Sequence, residues 1–267
     1  MITSVSNQQI KNIVKLQKSS KSRREQQVFL VEGIRMFQEI PESRLVKAYV
    51  TEEWVEQLPT AWEEGRQYEI ITNGVLKEIS DTQTPQGVLA VVRQQTYQRE
   101  ELLGEVGADG ERSRGNGTSP CVLVLENLQD PGNLGTILRT AEGAGVTGIM
   151  MSRDTVDIYN SKVVRATMGA IFRIPFRYEA SISDGVDWLK NQGIRCYAAH
   201  LDGTCFYDYD FRESCCFLIG NEGNGLTDGL AAQADRFLRI PMKGKVESLN
   251  AAAAATVLMY ETLRQRL

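Results

Sequence analysis

The 267-residue chain holds a single histidine, His200, and that scarcity removes whole classes of chemistry. Multi-histidine metal centres and HExxH hydrolases need more than one. A Ser-His-Asp triad would have to recruit His200, and no GxSxG elbow accompanies it. His200 follows the apolar stretch Cys196-Tyr-Ala-Ala199 at a strand end, so it reads either as a loop group near a ligand or as incidental. Cysteine is also sparse: Cys121, Cys196, Cys205, Cys215 and Cys216 are odd in number and show no CxxC spacing. Cys121 and Cys216 fall on apolar strands, where a free thiol behaves as a small hydrophobe. No zinc or other metal is therefore expected. Long apolar runs are missing too. The longest mainly apolar stretch, 251–259, is alanine-rich and too short to span a bilayer. The N-terminus is polar, with no apolar core before a cleavage site, so no secretory leader is expected. These absences lead us to expect a soluble, cytoplasmic protein with no membrane contact.

What is present is unevenly charged. The formal net charge of −4 argues against a nucleic-acid partner until it is divided. Residues 1–47 carry nine Lys/Arg and four Glu, a surplus of +5, against −9 for the rest. A basic N-terminal segment on an acidic chain suggests that nucleic-acid contact is segregated there; a solvated lysine-rich helix is the plainer alternative. Lys18, Lys21, Arg23 and Arg24, with no acid among them, form the candidate phosphate-facing tract.

The length suits two domains. Over 1–95 helices and strands alternate, with a helix at 7–18, then strand 28–31, helix 33–39, strand 45–50, helix 52–57, strand 68–72, helix 74–79 and strand 87–92. That pattern predicts a compact α/β sandwich. Residues 96–119 read as a flexible linker, because five glycines lie between Gly104 and Pro120 among charges without apolar periodicity. From 120 to 267 the pattern is strand, loop, helix, repeated. Leu134, Ile137, Leu138 and Ala141 keep the spacing of a buried helix face, while Arg139 falls off that stripe and can point into a cleft. Strands are expected at 148–151, 174–178 and 195–199, and helices at 161–171 and 183–191. Gly143-Ala-Gly-Val-Thr-Gly148 fits GxGxxG, but it follows a helix and precedes a strand. That order is the reverse of a dinucleotide site and reads as helix termination.

Three polar, glycine-bearing loops at strand ends mark a ligand site. They are Leu128-Gln-Asp-Pro-Gly-Asn-Leu-Gly135, Leu218-Ile-Gly-Asn-Glu-Gly-Asn-Gly-Leu226, and the stretch from Ile240 to Ser248-Leu249-Asn250, which opens a helix of five alanines. Ser and Asn suit a helix N-terminus, and alanine lets another backbone approach closely. The 220–225 loop lacks Walker spacing and is not an ATP loop.

Asn133-Leu-Gly-Thr-Ile-Leu-Arg139, Gly220-Asn-Glu-Gly-Asn-Gly-Leu226 and Ile240-Pro-Met…Glu247-Ser-Leu-Asn-Ala-Ala-Ala resemble the three ordered motifs of the SpoU/TrmH family. Phe29-Leu-Val-Glu-Gly33 and Thr84-Pro-Gln-Gly-Val-Leu-Ala-Val91 resemble the L30e-like substrate-binding domain that many of its members carry. The resemblance implies an α/β fold, with a C-terminal trefoil-knotted SPOUT methyltransferase domain over 120–267 and a smaller N-terminal L30e-like α/β sandwich domain over 1–95. It implies S-adenosyl-L-methionine as cofactor, RNA as substrate and a ribose 2′-hydroxyl as methyl acceptor. Ribosomal RNA is the expected target, since relatives acting on transfer RNA often lack the accessory domain. A transfer RNA ribose methyltransferase and a catalytically silent RNA-binding homologue are the alternatives. The resemblance further implies a homodimer built through the C-terminal domain.

Carried over by motif position, the cofactor contacts fall on backbone groups of Gly220, Ile240 and Leu249, with Asn221, Gly223 and Met242 beside them. The catalytic positions fall on Asn133, Arg139, Glu222, Ser248 and Asn250. Asn133 has an equal reading as the cap of its own helix. A guanidinium holds its protons too tightly to act as a base, so Arg139 is expected to anchor phosphate and developing oxyanion charge, in its own subunit or across the dimer. Glu222 is expected to orient Arg139 or a neighbouring loop. Ser248 and Asn250 are expected to cap the last helix while touching substrate.

Overall fold

In the computed structural model, which describes residues 1–56, 67–106, 112–113 and 119–267, the chain separates into two units. One contains Met1–Gln95 with Asp157–Phe172, the other Thr96–Val156 with Arg173–Leu267.

The first unit begins with α1 (Gln8–Lys18), which starts where the Asn7 side chain accepts the Gln9 N–H and which buries Ile10, Ile13 and Leu16. After α2 (Ser20–Gln26) come β1 (Val28–Glu32), α3 (Ile34–Gln38), β2 (Leu45–Val50), α4 (Glu52–Val55), β3 (Tyr68–Ile70), α5 (Asn73–Ile79) and β4 (Val88–Arg93). The alternation read from 1–95 is realised with one helix more, α2, which takes up the basic tract; residue 57, the expected end of one helix, lies outside the described residues. The sheet order is β1-β4-β2-β3. β4 runs antiparallel to both β1 and β2, and β3 parallel to β2. Ile10, Ile13, Leu16, Leu30, Ile79 and Leu89 share one core between helices and sheet.

The second unit opens on a surprise. Glu100–Leu103, expected in the linker, forms a 3-10 turn that buries Leu102 and Leu103 with Val122, Val124 and Met150. The turn lies so close to the sheet that a Cβ at Gly148 would sit 2.5 Å from the Leu102 Cα. Two short strands, β5 (Glu105–Val106) and β6 (Arg112–Ser113), pair antiparallel. The rest of the expected linker, 107–111 and 114–118, lies outside the described residues. Then follow β7 (Cys121–Leu125), α6 (Pro131–Gly143) and β8 (Gly148–Ser152). After α7 (Ser161–Ala166), which belongs to the first unit, come β9 (Phe176–Glu179), α8 (Ile182–Asn191), β10 (Arg195–Cys205), β11 (Cys215–Ile219), α9 (Asp228–Ala231), β12 (Arg236–Arg239) and α10 (Ala251–Arg266).

Six of these strands form a wholly parallel sheet in the order β12-β10-β11-β7-β8-β9. Every residue of β7, β8 and β11 is buried, as expected of parallel strands covered on both faces. The order reverses between β7 and β11: β8 and β9 extend to one side, β10 and β12 to the other. Such a switch point leaves a crevice at the C-terminal ends of the two central strands. Four cysteines (Cys121, Cys196, Cys215, Cys216) are free thiols buried in this sheet. Cys196 and Cys216 face each other across β10 and β11 with their Sγ atoms 2.8 Å apart.

Two element boundaries differ from expectation. β10 runs past Ala199 to Cys205 with a register shift against β12. Gly203 makes this approach possible, since a Cβ there would lie 2.5 Å from the Leu238 carbonyl carbon. The helix expected over 161–171 stops after Ala166, because Met168 (φ 49°) and Gly169 (φ 92°) turn left-handed before a 3-10 turn at Ala170–Phe172. That segment packs into the first unit through Phe29, whose ring centroid lies 4.6 Å from that of Tyr159 and 6.1 Å from that of Phe172. Among the described residues no helix is long and apolar enough to cross a membrane, and no group of three His, Cys, Asp or Glu could hold a metal ion.

Candidate active site

The loops leaving β7, β11 and β12 carry the three sequence motifs. Their frame starts from a residue that the sequence reading passed over. Glu126, 5% exposed, directly follows β7. Its carboxylate accepts from the Thr227 N–H and the Thr227 hydroxyl, both at 2.8 Å, which ties β7 to the far end of the β11 loop. Asn127 is held left-handed at φ 54°. Its side-chain oxygen accepts the Ser152 hydroxyl at 2.8 Å, and its carbonyl accepts Asn221 Nδ2 at 2.8 Å.

Asn221 in turn folds its own loop. Its Oδ1 accepts the N–H groups of Gly223 (2.9 Å) and Asn224 (3.1 Å), and its backbone pairs with Gly225. The loop closes so tightly that a Cβ at Gly220 would fall 2.0 Å from the Gly225 carbonyl carbon. Glycine is obligatory there. Gly223 is exposed, and a Cβ on it would touch only Asn221 Oδ1, at 3.5 Å.

A second set of hydrogen bonds joins all three loops. The Glu222 carboxylate accepts from the backbone N–H of Gln129 (3.1 Å) and Asp130 (3.0 Å) and from Asn133 Nδ2 (3.0 Å). Asn133 Oδ1 accepts Asn250 Nδ2 at 3.0 Å, and Asn250 Oδ1 caps α10 by accepting the N–H groups of Ala252 and Ala253 at 2.9 and 3.3 Å. Burial works against the charge on Glu222. The bonds from Asn133, from its own N–H and from those of Asp130 and Gln129 outweigh it and hold the carboxyl below the ordinary glutamate value.

These contacts decide several open readings. Asn133 is not the cap of α6; Asp130 is, accepting the Asn133 N–H at 2.8 Å, and Pro131 fills the first helical position. Glu222 braces the β7 loop rather than Arg139. Asn250, not Ser248, caps α10. Ser248 is exposed, while Ile240, Met242 and Leu249 are half-buried. Among the described residues nothing hydrogen-bonds to residues 241–249, so the β12 loop offers free backbone donors and acceptors ahead of Asn250, which the link ties to Glu222. Arg139 lies on the exposed face of α6, apart from the Glu222–Asn133–Asn250 link, and makes no hydrogen bond or ion pair with any described residue.

In the first unit, Lys18, Lys21 and Arg24 are exposed. Arg23 is not, which corrects its reading as an RNA contact. It is 5% exposed, donates to Asp157 Oδ2 from Nη2 at 2.5 Å and from Nε at 3.1 Å, and donates from Nη1 to the Leu16 and Gln17 carbonyls at 2.6 and 3.0 Å. A guanidinium so fully engaged is structural. His200 lies within β10, its ring stacked on Phe237 at 4.8 Å and its Nδ1 accepting the Asp202 N–H at 3.2 Å.

Known proteins are similar to this chain in sequence and fold. Residues 120–260 match the model of the SpoU rRNA Methylase family, and residues 7–90 that of the MRM3-like substrate binding domain. Over 260 residues the chain is 32% identical to the 23S rRNA (guanosine(2553)-2′-O)-methyltransferase RlmP of Bacillus subtilis, covering 97% of each chain. The AdoMet-bound rRNA methyltransferase from Sinorhizobium meliloti superposes on it with a TM-score of 0.84 at 29% identity, covering 100% of this chain and 98% of its own. The SpoU methyltransferase AviRb from Streptomyces viridochromogenes, in complex with AdoMet, gives a TM-score of 0.83 at 25% identity over 97% of this chain and 98% of its own.

Proposed function

Because the chain belongs to the SpoU rRNA methylase family, we propose that it methylates a ribose 2′-hydroxyl of ribosomal RNA with S-adenosyl-L-methionine as donor. The observation that carries the reading is the Glu222–Asn133–Asn250 link, which draws three loops at the switch point into one polar rim. The cofactor supplies an activated sulfonium methyl for in-line displacement, so no metal is required.

The residues present fit that cofactor. Adenine needs a donor and an acceptor side by side along its edge, and the unpaired backbone of 241–249 offers both. The half-buried side chains of Ile240, Met242 and Leu249 provide apolar cover. Asn133 and Asn250 fix the height of the rim on which the ribose rests, and positioning of this kind is a large share of catalysis in group transfer. Arg139, exposed and uncommitted, is the cation that meets the RNA. It anchors phosphate and stabilises the oxygen as its proton leaves, and the proton goes to substrate phosphate or water rather than to the guanidinium.

Arg139 does not meet the Glu222–Asn133–Asn250 link, which supports a homodimer in which it serves the partner's cofactor site. Ala251, Ala252 and Ala255 are buried within their own chain, so the face of α10 left for a second copy is Ala253, Ala254, Val257 and Tyr260. Residues 1–95 present RNA through Lys18, Lys21 and Arg24, and residues 120–267 hold the cofactor. A ribosomal RNA substrate puts the protein in the cytoplasm.

The test is transfer of tritiated methyl from the cofactor to ribosomal or transfer RNA, followed by alkaline hydrolysis. Label in alkali-resistant dinucleotides from ribosomal RNA is the expected result, since a blocked 2′-oxygen prevents cleavage. Label from transfer RNA alone would move the substrate. Label in base nucleosides would overturn the ribose assignment, and no label with intact RNA binding would leave a silent homologue.

A further inference from the structure

The first unit contains an open cleft of about 480 Å³, lined by no residue of the three motif loops, within the ~300–1,000 Å³ range of ligand pockets. Its walls include Arg35, Met36, Thr84, Gln86, Arg165 and Met168. The polar groups around it divide into those the fold consumes and those it leaves over. Glu32 is consumed: its carboxylate accepts the Ser80 hydroxyl, the Thr82 hydroxyl at 2.6 Å and the Asp81 N–H at 3.0 Å, and so fixes the 80–82 loop. Gln86 is half consumed. Its Oε1 accepts the Ile34 N–H at 3.1 Å, which aims its amide nitrogen elsewhere. Arg35 is exposed and pairs with no described residue, and Arg165 reaches only the Asp81 carbonyl, at 3.5 Å.

The apolar groups are two thioethers. Met36 is buried, while Met168 is 37% exposed on a residue held at φ 49°. Left-handed geometry is unfavourable for a long side chain and is occupied almost at will by glycine. Here it turns a flexible, polarisable side chain onto the lip of the cleft.

We infer that this cleft holds one unstacked nucleotide of the RNA substrate, with its phosphate on Arg35 and Arg165 and its base against Met168 within donor reach of the Gln86 amide. The chemistry matches a nucleotide on three counts. Guanidinium groups pair with phosphate and stack on base planes. An amide nitrogen donates to the acceptors on a base edge, and single-stranded RNA is read by splaying bases into such pockets. The inference rests on the RNA-methylation reading and adds to it where part of the RNA is held. It also accounts for the course of the chain. Arg165 and Met168 lie within the residues matched to the methylase family and outside those matched to the substrate-binding domain, yet they pack into the first unit. The substrate-binding domain is completed by a loan of 157–172, and residues 1–95 alone lack one arginine and the methionine lip.

The experiment uses the full chain and a fluorescein-labelled single-stranded fragment of 23S rRNA, with anisotropy read over a salt series. Arg35→Ala with Arg165→Ala should weaken binding by about tenfold or more. The slope of log affinity against log salt should fall by about 0.7, the single-strand value for the one phosphate that the two arginines share. Met168→Gly separates binding from folding. Glycine suits the left-handed position, so the variant should melt at or above the wild-type temperature and keep its cofactor affinity while binding RNA more weakly. Unchanged affinity and slope in both variants, alongside wild-type methyl transfer to ribosomal RNA, would overturn the inference and leave the function standing. A wild type that neither binds nor methylates RNA would overturn both.

Discussion

Replacing Asn250 with alanine removes two things at once, and a second substitution separates them. The Asn250 Oδ1 caps α10 through Ala252 and Ala253, and its Nδ2 donates to Asn133. Loss of the cap costs about 1 kcal/mol, and loss of a partly exposed amide bond costs about 0.5–1 kcal/mol more. At ~2–4 °C per kcal/mol for a unit of this size, Asn250→Ala should melt about 3–8 °C lower. Asn250→Asp keeps the acceptor and places a negative charge at a helix N-terminus, where it is favourable. It cannot keep the link. Asn133 already donates its nitrogen to Glu222 and turns its oxygen toward residue 250, so flipping its amide satisfies one carboxylate only by presenting oxygen to the other. Asn250→Asp should therefore melt within about 1 °C of wild type. Its single-turnover methyl transfer should fall about tenfold, the equivalent of one hydrogen bond of ~1.4 kcal/mol. Calorimetric cofactor affinity on the same samples shows whether the loss lies in binding or in turnover. Full turnover in Asn250→Asp, or an unchanged melting temperature in Asn250→Ala, would refute the link as a working part of the site.

Arg139→Ala should keep cofactor affinity and lose roughly 10²-fold in turnover, the scale for a preorganised charge-stabilising donor, and Arg139→Lys should recover only part of it. Gly223→Trp should abolish cofactor binding with the fold intact, and mixing such subunits with the impaired Arg139→Ala subunits should restore turnover if the arginine serves the partner's site; no recovery in a mixture shown to form heterodimers would place it in cis. Glu222 has a depressed pKa, so its contribution to stability is present above the ordinary glutamate value of about 4.5 and lost as pH falls through the lower folded value. Glu222→Gln should accordingly lose less melting temperature than wild type between pH 5 and pH 3, as read by calorimetry at the two ends. Reversing Lys18, Lys21 and Arg24 to glutamate should weaken RNA binding and flatten its salt dependence, with cofactor affinity unchanged in the same titrations.

Most of the fold was legible because it follows from periodicity. The spacing of Leu134, Ile137, Leu138 and Ala141 gave α6 its buried face, and the apolar runs at 121–125 and 215–219 gave the buried parallel strands. Departures from expectation came where one close contact overrides local pattern. The stretch from 96 reads as a linker because five glycines lie among charges from Gly104 on and no apolar period is set up there, Leu102 and Leu103 included. Their burial depends on Gly148 leaving room forty-odd positions away, and nothing local records that. The segment 157–172 is a similar case. Its attachment to the first unit is carried by Phe29, Tyr159 and Phe172, aromatic residues that any core would take. The attachment has a practical consequence: deleting 1–95 would strip 157–172 of its packing, so charge reversal is the cleaner test of the basic tract.

At the site, the motif positions were legible and their division of labour was not. A sequence shows that Asn133, Glu222 and Asn250 are polar and close to glycine; it does not show which of them spends its hydrogen bonds on the others. The carboxylate of Glu126 makes the point most sharply. It follows an unbroken apolar strand in a position that reads as the first residue of a loop, yet it is buried and fixes Thr227 on the other side of the β11 turn. A buried carboxylate is costly unless its oxygens are matched, and here both are, by the same residue. Glu126→Gln keeps the shape and one acceptor for the Thr227 N–H, but it removes the charge and the acceptor for the proton of the Thr227 hydroxyl, whose oxygen already accepts the Leu230 N–H. The loop that presents Gly220 and Asn221 should then loosen, and cofactor affinity should fall before turnover does. That order, read from binding and single-turnover data on one variant, distinguishes a residue that builds the pocket from one that works in it; a loss of turnover at unchanged affinity would place Glu126 among the groups that act on the substrate.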